Sequence, residues 1–79
     1  MDLSDRHPAT QQLMRFFTAD HLPEPLQTVS LHSCYLAEAM VRELPDGDEL
    51  TFGLRQLLLA KDAFVRAALP APAAAPKES

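Results

Sequence analysis

Four residues are of types that could do chemistry in the places they occupy: Phe17, His21, Lys61 and Arg66. Lys61 falls between Leu57 and Val65 on what reads as the apolar stripe of a helix. An ammonium there must either leave the core along its own stem or meet an anion. The first reading makes it a snorkelling lysine, the second an anion contact at a seam between subunits. Arg66 follows Asp62 by one helical turn. It is either half of an exposed ion pair or a guanidinium left for a phosphate. Phe16 and Phe17 shortly precede His21, and an aromatic and imidazole group of this kind can stack on a nucleobase. The same two rings can instead staple a helix end to its neighbour. Tyr35 is open to the same two readings, interface anchor or stacking platform.

What surrounds these residues argues against catalysis. No nucleophile has a base beside it, no glycine-rich phosphate loop is present, and no carboxylate pair is backed by other catalytic groups. The chain is expected not to be an enzyme. His7, His21 and His32 never stand at the i, i+3 or i, i+4 spacing that offers paired ligands to zinc from a helix. No metal and no cofactor are expected. Cys34 is the only cysteine, which excludes an internal disulfide, fits a reducing compartment and reads as a small buried residue.

The formal charge is −4, with Lys and Arg scattered rather than clustered. The counterion release that drives binding to long nucleic acid is therefore missing, and duplex nucleic acid is not an expected partner. A small anion needs only a few local cations, and a symmetric oligomer can gather copies of one Arg or Lys. No apolar stretch approaches the roughly 18 residues of a membrane span, and Met1-Asp2-Leu3-Ser4-Asp5 has no apolar signal-peptide core. No membrane association is expected, and the location expected is the cytoplasm.

The elements that position these residues are helical. Pro8 suits a first helical turn, and Ala9, Leu13, Phe16 and Phe17 recur at helical spacing, which predicts a short helix over about 8–17. Pro23 and Pro25 are tolerable only at the start of a second helix, predicted over about 24–44. Asp46 followed by Glu49 reads as a capping box opening a third helix over about 47–69, with Pro45 closing the second and Gly47 easing the turn. On a helical wheel the second helix gathers Leu26, Val29, Leu36, Ala37, Met40 and Leu44 on one face, with Ser30 and Ser33 among them. The third gathers Leu50, Leu54, Leu57, Leu58, Phe64, Val65 and Ala68, which can zip against it. Gly53, inside the third helix, marks either a close approach of backbones or simple tolerance. From Pro70 to Ser79 the chain is rich in Pro and Ala without a large apolar side chain, and is expected to be a disordered tail.

The fold expected is all-α, a short N-terminal helix followed by an antiparallel two-helix hairpin, in one domain over 1–69. A 79-residue chain buries only roughly 60% of the surface its unfolded form exposes. Without disulfides or a metal, assembly into a homo-oligomer is the remaining way to complete the core. Two further apolar groups mark where. Leu31 and Tyr35 lie opposite the main stripe of the second helix, and Phe52, Leu59 and Ala63 lie on the back of the third, bordered by Arg55 and Arg66.

Two segments carry a resemblance: Phe17-x-x-x-His21-Leu22-Pro23-x-x-Leu26-Gln27-x-Val29-Ser30 and Leu58-x-Ala60-Lys61-Asp62-Ala63-Phe64-Val65-Arg66-Ala67. Over roughly residues 7–69 the chain resembles the helical hairpin domain of phage anti-CBASS sponges, which bind cyclic oligonucleotide signals and withhold them from bacterial immune effectors. The resemblance implies the same three-helix fold in a compact homo-oligomer, commonly a hexamer, acting in the host bacterial cytoplasm. It implies that an aromatic before the hairpin, Phe17 or less directly Phe16, stacks on bases. It also implies an Arg in an aromatic-x-Arg-Ala context at the symmetry axis, which Phe64-Val65-Arg66-Ala67 supplies. The family's basic residue in the first long helix is not matched, because Ser30, Leu31, His32 and Ser33 occupy the corresponding positions and only His32 can carry charge.

Two functions follow as expectations. One is a phage anti-defence sponge that sequesters cyclic di- or trinucleotides without cleaving them, relying on Phe17, His21, Lys61 and Arg66. The other is a small helical oligomerisation or protein-interaction module with no nucleotide ligand.

Overall fold

The computed structural model describes residues 2–69, and the expected disordered tail over 70–79 lies outside the described residues. Three helices and no strand are present among the described residues: α1 (Pro8–Met14), α2 (Glu24–Glu43) and α3 (Asp48–Ala67). The prolines place the boundaries as expected. Pro8 opens α1 and Pro25 sits in the first turn of α2, where a missing N–H removes no intrahelical bond. Pro45 follows α2 by two residues, and Leu44 has already left helical geometry with φ −116° and ψ 147°.

α1 stops at Met14 rather than at residue 17. The N–H groups of Arg15, Phe16 and Phe17 bond back three residues, to Gln12, Leu13 and Met14, so the chain tightens into a turn instead of continuing the helix. This turn carries the Phe17 ring inward and leaves Phe16 outside.

The capping box expected at Asp46 does not form. Gly47 is the residue that precedes α3, without a side-chain cap, and its φ of 164° is extended backbone that any residue adopts. Asp46 turns the other way. Its carboxylate accepts hydrogen bonds from the His7 N–H at 2.9 Å and the Thr10 hydroxyl at 3.2 Å, so it caps α1 across 39 residues of chain. His7 adds its own Nδ1, which accepts the Ala9 N–H at 3.0 Å. Arg6 closes the clasp. Its guanidinium donates to the carbonyls of Val41 and Leu44 at the end of α2, the latter at 2.6 Å. Arg6 Nε lies 3.5 Å from Asp46 Oδ1, an ion pair without hydrogen-bond geometry. At the very start, Asp2 accepts the Ser4 N–H, which holds its exposed carboxyl below the usual carboxylate range.

The core is small. Met14 and Phe17 pack with Cys34, Ala37 and Val41 of α2 and Leu50 and Leu54 of α3. On α2 the buried residues are Ser30, Ser33, Cys34, Ala37 and Val41, a stripe of small side chains that brings the helices together. The wheel expectation is corrected here: Leu36 of α2, Leu44 just past its end and Phe64 of α3 are exposed. A face chosen by its largest residues differs from the face that packs, because close helix contact selects the small ones. Gly53 has nothing within 4 Å of where a Cβ would stand, so no close backbone approach explains it. Leu36, Met40 and Leu44 line an apolar groove with Gly53 and Leu57 instead. No helix among the described residues is long and apolar enough to cross a membrane.

Candidate anion site at the open end of the hairpin

His21, Lys61 and Arg66 come together. They line one cavity of about 200 Å³ with Leu22, Asp62 and Val65, at the end of the hairpin away from the α2–α3 turn. His21 arrives on the loop between α1 and α2, while Lys61 and Arg66 arrive from the last turns of α3, which places residues forty or more positions apart in one concavity.

Lys61 is buried, with 6% of its surface exposed. Its ammonium neither snorkels to bulk water nor waits for an external anion. It donates to the Phe16 carbonyl at 2.7 Å, one of the carbonyls left without a helical partner after α1, and lies 3.8 Å from Asp62 Oδ1. Lys61 therefore anchors the end of α1 to α3 and forms the cationic floor of the cavity. The alternative ion pair between Asp62 and Arg66 is not made. Among the described residues Arg66 has no carboxylate within 4.0 Å, and it is exposed at the rim.

Phe17 stands apart from the other three. It is 5% exposed and sits in the core against Met14 and its neighbours, so its ring is unavailable for stacking on a base in this arrangement. Phe16, 56% exposed, is the free aromatic of the pair. His32 borders a different concavity beside Val29, Leu36 and Phe64.

A second, larger cavity of about 410 Å³ lies at the opposite end, lined by His7, Thr51, Phe52 and Arg55 with the acidic first turn of α3, Asp48 and Glu49. Sequence spacing did not single it out, because it forms only where the start of α1 packs beside the start of α3, about 40 positions away. Charge separates the two cavities. Two carboxylates against one guanidinium disfavour an anion near Arg55, whereas two cations against one carboxylate favour it near Arg66. No cluster of three or more His, Cys, Asp or Glu capable of holding a metal occurs among the described residues.

Comparisons of the chain with protein-family models, curated proteins and solved structures find no match. The chemistry of the site is thus read from its own residues. It offers a guanidinium free to take a phosphate bidentately, an imidazole able to donate or accept, and a buried ammonium adding positive potential beneath them.

Proposed function

We propose that this chain is a non-catalytic, self-associating sponge that binds cyclic di- or trinucleotides and sequesters them without cleavage, as the anti-CBASS sponges it resembles do. In that role it acts in the cytoplasm of an infected bacterium and keeps the signal from its immune effector. The observation that carries the proposal is the convergence of His21, Lys61 and Arg66 in one cavity where Arg66 has no carboxylate partner among the described residues.

The size of the cavity supports an oligomer over a single subunit as the binding unit. Sites that enclose a drug-sized ligand run from roughly 300 to 1,000 Å³, and about 200 Å³ holds a phosphate and part of a sugar rather than a cyclic dinucleotide. A ligand carrying two or three phosphates suits two or more copies of Arg66 arranged by symmetry, in the hexamer that the resemblance implies. Tyr35, Phe52 and Leu59, each more than half exposed, supply apolar surface for such assembly. Sequestration needs only tight binding and sufficient protein.

Calorimetric titration with a panel of cyclic di- and trinucleotides tests the proposal. Wild-type protein is expected to bind at least one of them, more weakly as salt rises, and Arg66→Ala to lose at least tenfold in affinity. If no cyclic nucleotide binds wild-type protein, the sponge reading is wrong and the reading as an interaction module replaces it.

A further inference from the structure

The outer face of α3 carries Phe52, Arg55, Leu59, Asp62 and Arg66 at successive spacings of three and four residues, the pattern of a helix-pairing seam. All five are exposed, and Leu59 at 63% and Phe52 at 57% are among the most exposed large apolar side chains of the described residues. The seam is self-complementary. Leu59 is seven residues from Phe52 and seven from Arg66, so a two-fold axis through Leu59 sets Phe52 of one copy level with Arg66 of the other. Arg55 precedes Leu59 by four positions and Asp62 follows it by three, so the same axis brings Arg55 to within about 1.5 Å, one helical rise, of the level of Asp62 in the second copy. Arg55 has no ion pair within 4.0 Å among the described residues, and Asp62 has only its contact with Lys61.

The geometry points to an antiparallel pairing of α3 with α3 of a second copy about Leu59, in which Phe52 of one copy closes the His21–Arg66 cavity of the other. The charges select this register. Parallel pairing would set Arg55 against Arg55 and Arg66 against Arg66, whereas antiparallel pairing sets each Arg55 against an Asp62 and each Arg66 guanidinium against an aromatic face. The pairing also repairs the site. Asp62, the one carboxylate lining the cavity, is drawn toward Arg55 of the second copy, and the stacking ring that Phe17 cannot provide from the core is provided by Phe52. The ligand class is that of the sponge reading, a phosphate-bearing cyclic nucleotide with a base to stack. The role given to Phe52 rests on that reading, while the seam itself does not.

The test begins without ligand. Under mild oxidation Leu59→Cys is expected to give a reducible covalent dimer. Wild type, whose Cys34 is buried, and Arg42→Cys on α2 should give none, because a disulfide requires α-carbons within about 7 Å. Arg55→Asp should weaken dimerisation in sedimentation at least tenfold, and Arg55→Asp with Asp62→Arg should restore it. Absence of the Leu59→Cys dimer, or a double variant no better than the single one, overturns the seam. Phe52→Ala should then lower cyclic-nucleotide affinity at least tenfold while a Leu59→Cys/Phe52→Ala protein still crosslinks. Unchanged affinity in Phe52→Ala overturns its place in the site. If the seam forms but wild type binds no cyclic nucleotide, the functional reading fails and the pairing stands.

Discussion

Replacing Lys61 by Met separates the structural role of its charge from the burial of its stem. The methionine keeps nearly the same apolar volume on the inner side of α3 and removes only the ammonium, which donates to the Phe16 carbonyl at 2.7 Å. A hydrogen bond from a charged group contributes about 1.5–3 kcal/mol to stability. The contact with Asp62 at 3.8 Å adds little, roughly 0.5 kcal/mol or less, because Asp62 is half exposed and screened by solvent. The Phe16 carbonyl is only partly buried and water can take the place of the ammonium, so the lower end applies, about 1.5 kcal/mol. For a chain this small the urea dependence is about 1 kcal/mol per molar, and the unfolding midpoint followed by circular dichroism should fall by roughly 1.5 M. Protein concentration must be held fixed, because the proposed self-association would itself stabilise the fold. A midpoint equal to or above that of wild type would refute the anchoring role. If Lys61→Met loses cyclic-nucleotide binding while keeping its stability, the ammonium serves the ligand and not α1.

Three further outcomes follow from the same contacts. Asp46→Ala removes the carboxylate that holds the His7 N–H, the Thr10 hydroxyl and Arg6, and should cost about 1–2 kcal/mol in urea unfolding with protease cleavage rising first near α1; unchanged stability would show that the clasp is not needed. Gly53→Ala should stabilise by up to about 1 kcal/mol, because its added methyl meets open space in the subunit; destabilisation would mean that a second copy approaches there. Cys34, 4% exposed, should react with a disulfide reagent only at the rate of unfolding, and rapid labelling of native protein would contradict its place in the core.

The hairpin was legible in the sequence because its punctuation is proline. Pro8, Pro25 and Pro45 can each stand only at a helix start or beyond its end, and the observed bounds of α2 and α3 lie within two residues of those expected. Faces were less legible. Leu36, Leu44 and Phe64 draw the eye on a wheel, yet Ser30, Cys34 and Ala37 make the helix contact, since small residues permit approach and carry little weight in a hydrophobic pattern. Asp46 was read as a cap for the helix that follows it, whereas its partners come from Arg6, His7 and Thr10, a long-range choice that no local motif encodes.

The candidate site divides in the same way. Lys61 and Arg66 were singled out as cations in an apolar helix, and three of the four chosen residues do line one cavity. The two readings of Lys61 both missed its partner, because a backbone carbonyl 45 residues away leaves no mark in side-chain spacing. Phe17 and Phe16 are adjacent, so the choice of which ring enters the core is made by the short turn after Met14, a detail of three hydrogen bonds. Phe52, Leu59 and Ala63 stood out as a back stripe bordered by Arg55 and Arg66, and the link to the site proposed for Phe52 arises only when that face is set against its own copy.

The most direct measurement is recovery of the ligand. Excess protein is mixed with a cyclic di- or trinucleotide, the mixture is passed through a membrane that retains protein, and the retained fraction is then heat-denatured and analysed by chromatography. A non-catalytic sponge should deplete the cyclic nucleotide from the filtrate and release it intact on denaturation. Cyclic nucleotide left in the filtrate, or linear products in the released fraction, would contradict the account.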